Sequence, residues 1–193
     1  MYASHNSLTF AKPRKWWQWF FQPFSKCQKV DILSQIEEGV RFFDIHVRLY
    51  NGDIIPAHGL VEYKIKTFIA INRIEANHCY YRVILEDAIG YKGDAEHDLR
   101  ILKNIFLSKD FPHCIYVARK SEWIKYANPW IKYANPYCDW QPTAEIARHH
   151  WTYCKPFIPR FHVGKYKPNK YAESLNLEVD KGKIFYYDFV NII

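Results

Sequence analysis

Glycine is scarce in this chain, with seven residues among 193, and the glycine-rich phosphate motifs are missing. Neither G-x-x-x-x-G-K-[ST] nor G-x-G-x-x-G occurs, so the sequence does not support a nucleotide-binding loop of either kind. The five cysteines are odd in number and include no C-x-x-C pair. A disulfide scaffold or a zinc ribbon is therefore disfavoured, and buried, reduced thiols are expected.

Long apolar runs are missing as well. No stretch approaches the roughly 20 residues that a membrane-spanning helix needs, and no signal peptide precedes the first polar motif. Met1 lies only four residues before His5, so a leader removed from a longer precursor stays compatible with the sequence. We therefore expect a cytoplasmic protein or one that is secreted after processing.

The overall composition is that of a globular protein. Hydrophobic residues make up 49% of the chain and charged residues 24%. The length predicts one domain over residues 1–193, with enough chain to bury a core. The formal net charge of +7 favours anionic partners such as phospholipid headgroups, nucleic acid or phosphorylated metabolites, although the same charge also serves solubility.

Aromatic residues are abundant, at 18% of the chain, and they cluster with cations in residues 12–26. We treat residues 11–28 as an insert after the first strand. Trp16, Trp17, Trp19 and Phe20 suit contact with a membrane interface, where nearby cations attract anionic lipid. The rings could instead fold inward and cap the domain. Stacking on single-stranded nucleic acid is the least favoured option.

Hydrophobic periodicity predicts alternating helices and strands. Helices are predicted over residues 30–38, 63–76 and 95–107, and strands over 40–49, 81–85, 114–118 and 183–190. In the first strand Phe43, Ile45 and Val47 share one face, and Asp44, His46 and Arg48 share the other. The second helix is predicted to bury Ile65, Phe68, Ile69 and Ile74. This alternation indicates an α/β protein with a parallel sheet and helices outside it.

Beyond residue 119 the pattern is harder to interpret. Residues 124–129 and 131–136 repeat the same six letters, IKYANP, and each ends in an Asn-Pro turn signal. A repeat of this length is too short for a solenoid unit and indicates a local duplication in a loop. Residues 143–154 are predicted to be helical, and His149, His150 and Cys154 fit a surface helix better than a metal site.

Two polar motifs in the first third of the chain carry the chemistry. The first motif is SHNS at residues 4–7; the second is GVRFFDIHVR at residues 39–48, and AHG at residues 57–59 closes it. This inventory suits acid-base cleavage of a phosphate ester: one imidazole takes a proton from a nucleophile, another gives one to the leaving group, and cations hold the phosphoryl oxygens.

This order of motifs resembles phosphatidylinositol-specific phospholipase C and its relatives, the PLC-like phosphodiesterase superfamily. The bacterial enzymes carry a similar Ser-His-Asp, a Gly-Ile-Arg-Tyr-Phe-Asp-Ile-Arg strand and a His-Gly. They also end in a strand with an aspartate between apolar residues, which residues 185–190 (FYYDFV) resemble. The resemblance covers residues 1–90 and, in part, residues 183–190.

The resemblance implies a small or distorted TIM (β/α) barrel that lacks one or more βα units, because 193 residues lie slightly below the usual size of that fold. It implies His5 as general base, oriented by Asp188, and His58 as general acid. The base would deprotonate a hydroxyl beside the phosphate, and that hydroxyl would expel diacylglycerol and leave a cyclic phosphodiester. The implied substrate is phosphatidylinositol or a related lipid or glycerol phosphodiester.

Two departures from the family leave the cation of the site open. Asn6 stands where the bacterial enzymes have Asp, and His46 stands where they have arginine and the calcium-dependent eukaryotic enzymes have aspartate. In one option, Asn6, Asp44, His46 and Glu86 hold a divalent ion; the imidazole makes calcium less natural than magnesium, manganese or zinc. In the other option, Arg48 supplies the positive charge and no metal binds.

Two alternative functions also stay open. Metal-dependent glycerophosphodiester phosphodiesterases share the helix, acidic strand and His-Gly order, but they carry Glu-x-Asp where this chain has Asp44-x-His46. The change at His46 also motivates a non-catalytic module that binds a membrane or a phosphate on the same fold. Glu86 could simply cap a helix, and Asp188 could be a structural acceptor.

Overall fold

The computed structural model describes residues 2–87, 90–121, 156–158, 161–164 and 185–187. The strands are β1 (Tyr2–Ser4), β2 (Phe42–Tyr50), β3 (Asp53–His58), β4 (Val61–Glu62), β5 (Tyr80–Leu85), β6 (Cys114–Arg119), β7 (Pro156–Ile158), β8 (Phe161–Gly164) and β9 (Phe185–Tyr187). The helices are a 3₁₀ helix (Trp16–Phe20), α1 (Gln22–Ser25), α2 (Ile32–Glu37), α3 (Thr67–Ala76) and α4 (Ala95–Phe106). The protein is therefore mixed α/β, as the sequence predicts.

Five strands form a parallel sheet in the order β9-β1-β2-β5-β6. The far half of β2 also pairs with β3 in an antiparallel hairpin, and β4 pairs with β3. The hairpin turn uses Asn51 and Gly52, both with positive φ, which suits the twist of a tight two-residue turn. Within the described residues, β6 pairs only with β5, so the sheet is open there.

The two faces of the sheet differ in polarity. The outward face packs against the helices, and its buried members include Phe43, Ile45 and Val47 of β2. The opposite face carries Asp44, His46 and Arg48 from the same strand, all buried. The period-two pattern of β2 therefore predicts both faces correctly. The parallel strands deliver these polar side chains to the carboxyl ends of the sheet, where function collects in such folds.

The predicted helix at residues 63–76 is wrong at its start and on its buried face. The helix α3 begins at Thr67, because Tyr63 pairs with Pro13 in an isolated bridge and lies buried. Phe68 and Ile69 are exposed, and the buried face consists of Thr67, Ala70, Ile71 and Ile74. The helix starts four residues later than predicted, and its buried residues follow the helical period from Thr67 through Ala70 and Ile71 to Ile74.

Several predictions lie outside the described residues. They concern the IKYANP repeat, the helix at residues 143–154 with His149, His150 and Cys154, and Asp188. In the described part of the chain, every helix is too short or too polar to cross a bilayer.

Candidate active site

The loop after β1 is fixed by hydrogen bonds on both sides. The Ser7 backbone N–H donates to the Asp44 carbonyl at 2.8 Å, and the Asp44 N–H donates to Ser7 Oγ at 3.0 Å. The Gln28 side chain donates to the His5 carbonyl at 2.9 Å. Asn6 has φ of 45°, a region that Asn tolerates better than most residues. His5 and Asn6 are therefore held beside Asp44 of β2.

Three imidazoles meet around Asn6. The ring centroids of His5 and His58 are 6.1 Å apart, those of His5 and His46 6.4 Å, and those of His46 and His58 5.8 Å. Asn6 Nδ2 lies 2.8 Å from His5 Nε2 and 3.4 Å from His58 Nε2. The amide nitrogen can only donate, so both ring nitrogens accept in this arrangement. His5 and His58 thus face each other across one small side chain.

The aromatic segment fixes the tautomer of His58. Nδ1 of His58 lies 2.7 Å from the Ser25 carbonyl oxygen, which can only accept, so Nδ1 carries the proton. Cys27 Sγ lies 3.7 Å from the same nitrogen. Burial first, and then the charge of Lys120, lower the pKa of His58 to about 3. His58 is therefore a neutral ring with an open lone pair on Nε2.

Asp44 is a fully buried anion at the centre of the site. Arg82 Nε donates to its Oδ1 at 2.6 Å, and the Asn6 backbone N–H donates to its Oδ2 at 3.1 Å. Burial alone would raise the pKa of Asp44, but Arg82 and then His46 outweigh it and hold that pKa well below its usual value. His5 Nε2 is 3.9 Å from the same carboxylate.

His46 lies between two carboxylates. Its Nδ1 is 2.8 Å from Glu86 Oε2, and its Nε2 is 3.2 Å from Asp44 Oδ2. The second contact is close enough for an ion pair but is not aligned as a hydrogen bond, and Asn6 Oδ1 nearby is also buried without a hydrogen-bond partner. Burial opposes the charged ring, yet Asp44 and then Glu86 raise the pKa of His46.

Glu86 collects three donors on one buried carboxylate. Besides His46, the Gly59 N–H lies 3.0 Å and Lys120 Nζ 2.5 Å from its Oε1. Burial would raise the pKa of Glu86, but Lys120 and then His46 lower it below its usual value. The side chain is therefore an anion that ties β2, the His58-Gly59 turn and the end of β6 together.

Arg48 faces the His58-Gly59 turn. Its Nη2 donates to the Gly59 carbonyl at 2.6 Å and its Nε to the Glu86 carbonyl at 3.2 Å. Nη1 lies 3.8 Å from Glu62. These contacts position the turn that carries His58, and the use of Arg48 as a phosphate-binding cation stays a prediction.

Sequence reasoning missed two cations of the site, Arg82 and Lys120. A charged residue inside the otherwise apolar strand YYRVIL is itself a signal, because an arginine is rarely buried without a partner. Lys120 follows β6 directly, and its position at a strand end is the same signal that pointed to Glu86. These two side chains supply the nearest permanent positive charges to the two carboxylates.

The predicted metal ligands do come together; the carboxylate oxygens of Asp44 and Glu86 are already engaged, whereas Asn6 Oδ1 and His46 Nε2 are buried without a hydrogen-bond partner. Both Glu86 oxygens and Asp44 Oδ1 contact protein cations or N–H groups. In the part of the chain that the structure describes, no three His, Cys, Asp or Glu side chains are arranged to hold a metal ion. The use of Asn6, Asp44, His46 and Glu86 as ligands of a divalent cation stays a prediction.

The aromatic segment (residues 12–26) lies beside His58. Gln18 is the buried residue of the 3₁₀ helix, and its amide donates to the Leu60 carbonyl at 3.1 Å. Four rings of the 3₁₀ helix point outward: Trp16 is 77% and Phe20 is 72% exposed, and Trp17 and Trp19 are also exposed. The prediction that this insert borders the site is confirmed, and the inward-folded alternative is wrong for these four rings.

The structure thus brings together His5, Asn6, Asp44, His46, His58 and Glu86 as the sequence predicts. Arg48 instead binds the His58-Gly59 turn. Asp188 follows the described strand β9, which pairs with β1 and places Tyr187 opposite Ser4. The role of Asp188 as the partner of His5 stays a prediction.

Comparison with solved structures relates this arrangement to one group of enzymes. The phosphatidylinositol-specific phospholipase C of Listeria monocytogenes matches at a TM-score of 0.50 and 14% identity, over 98% of this chain and 87% of that enzyme. The likeness lies in the fold. The Staphylococcus aureus enzyme, from a study of its membrane binding, matches at a TM-score of 0.42 and 19% identity over 70% of this chain.

The chain spans about two fifths of the length of that S. aureus enzyme, 41%. Its H258Y mutant matches at a TM-score of 0.43 and 19% identity, over 58% of this chain and 38% of the mutant chain. No protein-family model and no curated protein sequence matches. The comparisons support a fold like that of phosphatidylinositol-specific phospholipase C at low sequence identity.

Proposed function

We propose that the protein cleaves a lipid or glycerol phosphodiester by acid-base chemistry at His5 and His58. One observation carries the proposal: the two rings are 6.1 Å apart, and both Nε2 atoms face Asn6. A phosphate ester that displaces the Asn6 amide would lie between two nitrogens, which is the geometry that proton transfer on both sides of one ester needs.

In this proposal His5 Nε2 takes the proton of a hydroxyl next to the phosphate, and that oxygen attacks phosphorus. The bond from phosphorus to the leaving oxygen breaks, and His58 Nε2 gives that oxygen a proton. The product is a cyclic phosphodiester and a free alcohol. Asp188 would orient His5, and the cations at the site would stabilise the phosphoryl oxygens.

His58 must first gain the proton that it donates. In the free protein burial and Lys120 hold its pKa at about 3. An anionic phosphate beside the ring favours the charged form and raises that pKa. Proton uptake at His58 would therefore accompany substrate binding, with the Ser25 carbonyl keeping the new proton on Nε2.

We further propose that the open sheet is part of a small or distorted β/α barrel and that the substrate is a phospholipid in a membrane. The exposed rings of Trp16 and Phe20 and the basic residues around them suit an anionic interface. The aromatic segment ends beside His58. Binding of this segment to a membrane would therefore bring the candidate site close to the lipid.

The test is turnover of phosphatidylinositol in mixed micelles by the wild type, His5→Ala and His58→Ala. Each substitution should lower the rate by about 10²–10⁴-fold, the range for loss of a general acid or base. His97→Ala, on an exposed helical histidine, is the matched control. Equal rates for the wild type and His58→Ala would dismiss the assignment.

A second candidate is a non-catalytic module that binds an anionic membrane. The observation in its favour is that His58 is neutral and that the gap beside Asn6, His46 and Tyr63 has no room for a water molecule. Vesicle binding without turnover of phosphatidylinositol or glycerophosphodiesters, with or without added divalent ions, would favour this module.

A further inference from the structure

The cation beside Glu86 is part of the protein itself. Glu86 is fully buried, and Lys120 Nζ lies 2.5 Å from its Oε1, with the lysine side chain 14% exposed. An ion pair this far from solvent is little screened by salt, unlike most surface pairs. The ammonium therefore already supplies positive charge at this carboxylate oxygen.

The second carboxylate of the site, that of Asp44, is paired in the same way. Asp44 Oδ1 accepts from Arg82 at 2.6 Å, and His46 bridges the two carboxylates through Nδ1 and Nε2. Arg82 and Lys120 already balance the charges of Asp44 and Glu86. A divalent ion entering here would meet these two fixed cations at close range, and both would repel it.

We propose that the Lys120 ammonium takes the place of a divalent cation at Glu86, so that the site carries its own ion and excludes a metal. The charge of Lys120 also lowers the pKa of His58, so the same ammonium acts on a second group of the site. The proposal concerns which ion occupies the site, and it holds whether or not the chain cleaves phosphodiesters.

The experiment removes this charge and keeps the length of the side chain. The full chain with Lys120→Met is compared with the wild type and with Lys103→Met, which removes an exposed lysine on α4. The probe is Mn²⁺, measured by loss of the free-ion EPR signal and by paramagnetic broadening of the histidine ring signals. Circular dichroism checks that each variant is folded.

The wild type and Lys103→Met should show no broadening of His46 or His58 by Mn²⁺. Lys120→Met should bind Mn²⁺ at least about tenfold more tightly than the wild type, because a like charge no longer opposes the ion at Glu86. The broadening should then be centred on His46 and His58, the rings nearest Glu86.

Two results would overturn the proposal. One is Mn²⁺ that broadens His46 in the wild type, because the site would then accept a metal with Lys120 in place. The other is a folded Lys120→Met that binds Mn²⁺ no better than Lys103→Met. If Lys120→Met does not fold, the Mn²⁺ titration of the wild type still tests the proposal, because broadening of the His46 signal would overturn it. None of these measurements depends on turnover, so a failure of this proposal can be told apart from a failure of the proposed phosphodiesterase activity.

Discussion

The Ser25 carbonyl oxygen accepts a hydrogen bond from His58 Nδ1 at 2.7 Å, so the aromatic segment and a candidate catalytic ring share one contact. Ser25 is the last residue of α1, which follows the exposed 3₁₀ helix after a single residue. Ser25 Oγ also lies 2.9 Å from Tyr63 OH, which fixes the end of the segment to the domain. A movement of the segment would therefore alter the hydrogen bond of His58 directly.

Replacing Asn6 by Asp should raise the pKa of His58. A carboxylate in this position favours the charged ring, and an opposite charge within about 4–6 Å shifts a pKa by about 1–3 units. Titration of the His58 ring signals by NMR measures the shift. Asn104→Asp, which adds the same charge at an exposed position on α4, is the control and should leave the ring unchanged. An unaltered His58 titration in Asn6→Asp would contradict the placement of the two side chains.

Removing the exposed rings should weaken membrane binding and leave the fold stable. The double variant Trp16→Ala/Phe20→Ala should partition onto phosphatidylinositol-containing vesicles at least about tenfold less. Each substitution removes most of the apolar area that this side chain would bury at the membrane interface. The control is Leu107→Ala, an exposed apolar residue just after α4. Vesicle sedimentation gives the binding, and thermal unfolding confirms the fold. Equal partitioning of the double variant and the control would count against a membrane role.

Stability should fall in acid, in part through His58. Its folded pKa of about 3 lies below the ordinary value of 6.5, so the unfolded chain takes up this proton first. The contribution of His58 is complete above about pH 6.5 and is lost as the pH falls toward 3. Asp44 and Glu86, whose pKa values are also lowered, add stability above their ordinary values and lose it below them.

His46 acts in the opposite direction. Its pKa is raised in the folded state, so its contribution is complete below 6.5 and is lost as the pH rises through the folded value. Chemical denaturation across the pH range should therefore show a maximum with a falling arm on each side. His58→Gln should flatten the acid arm between pH 6.5 and 3. An acid arm identical to that of the wild type would show that His58 does not cause it.

Two isoleucines of α3 should differ sharply in their effect on stability. Ile71 is fully buried in the core, and Ile69 is 49% exposed. Ile71→Ala should lower the free energy of unfolding by about 2–5 kcal/mol, as large-to-small core substitutions do. Ile69→Ala should change it by less than about 1 kcal/mol. Denaturant titration of both variants measures these free energies of unfolding. A larger loss for Ile69→Ala than for Ile71→Ala would support the buried face expected from the sequence.

Local patterns predict β2 well because one strand carries a strict period of two between apolar and polar residues. They predict that His5 and Glu86 lie on one edge because each directly follows a parallel strand, and that Asp44 and His46 share the polar face of β2. They do not predict the buried face of α3, since Phe68 and Ile69 are apolar yet the start of the helix is set by a distant bridge between Pro13 and Tyr63.

The ion pairs of the site could not be predicted from the sequence either. Arg82 and Asp44 are far apart in the chain, and their pairing depends on the register between β2 and β5, which places them side by side. Lys120 meets Glu86 only because β6 lies next to β5 in the sheet. Register and strand order come from long-range packing, so composition and spacing indicate the residue types at the site but not their partners.

The strand that carries His5 has its two neighbours in very different parts of the chain. β1 pairs with β2 on one side and with β9, near the other end, on the other. Contacts so distant in sequence form slowly, because a large loop must close before they are gained. During synthesis β2, β5 and β6 can assemble with their helices well before β9 is available. The imidazole of His5 would then reach its final position only late in folding, and a partly made chain would hold the acids and cations of the candidate site before His5 and His58 face each other.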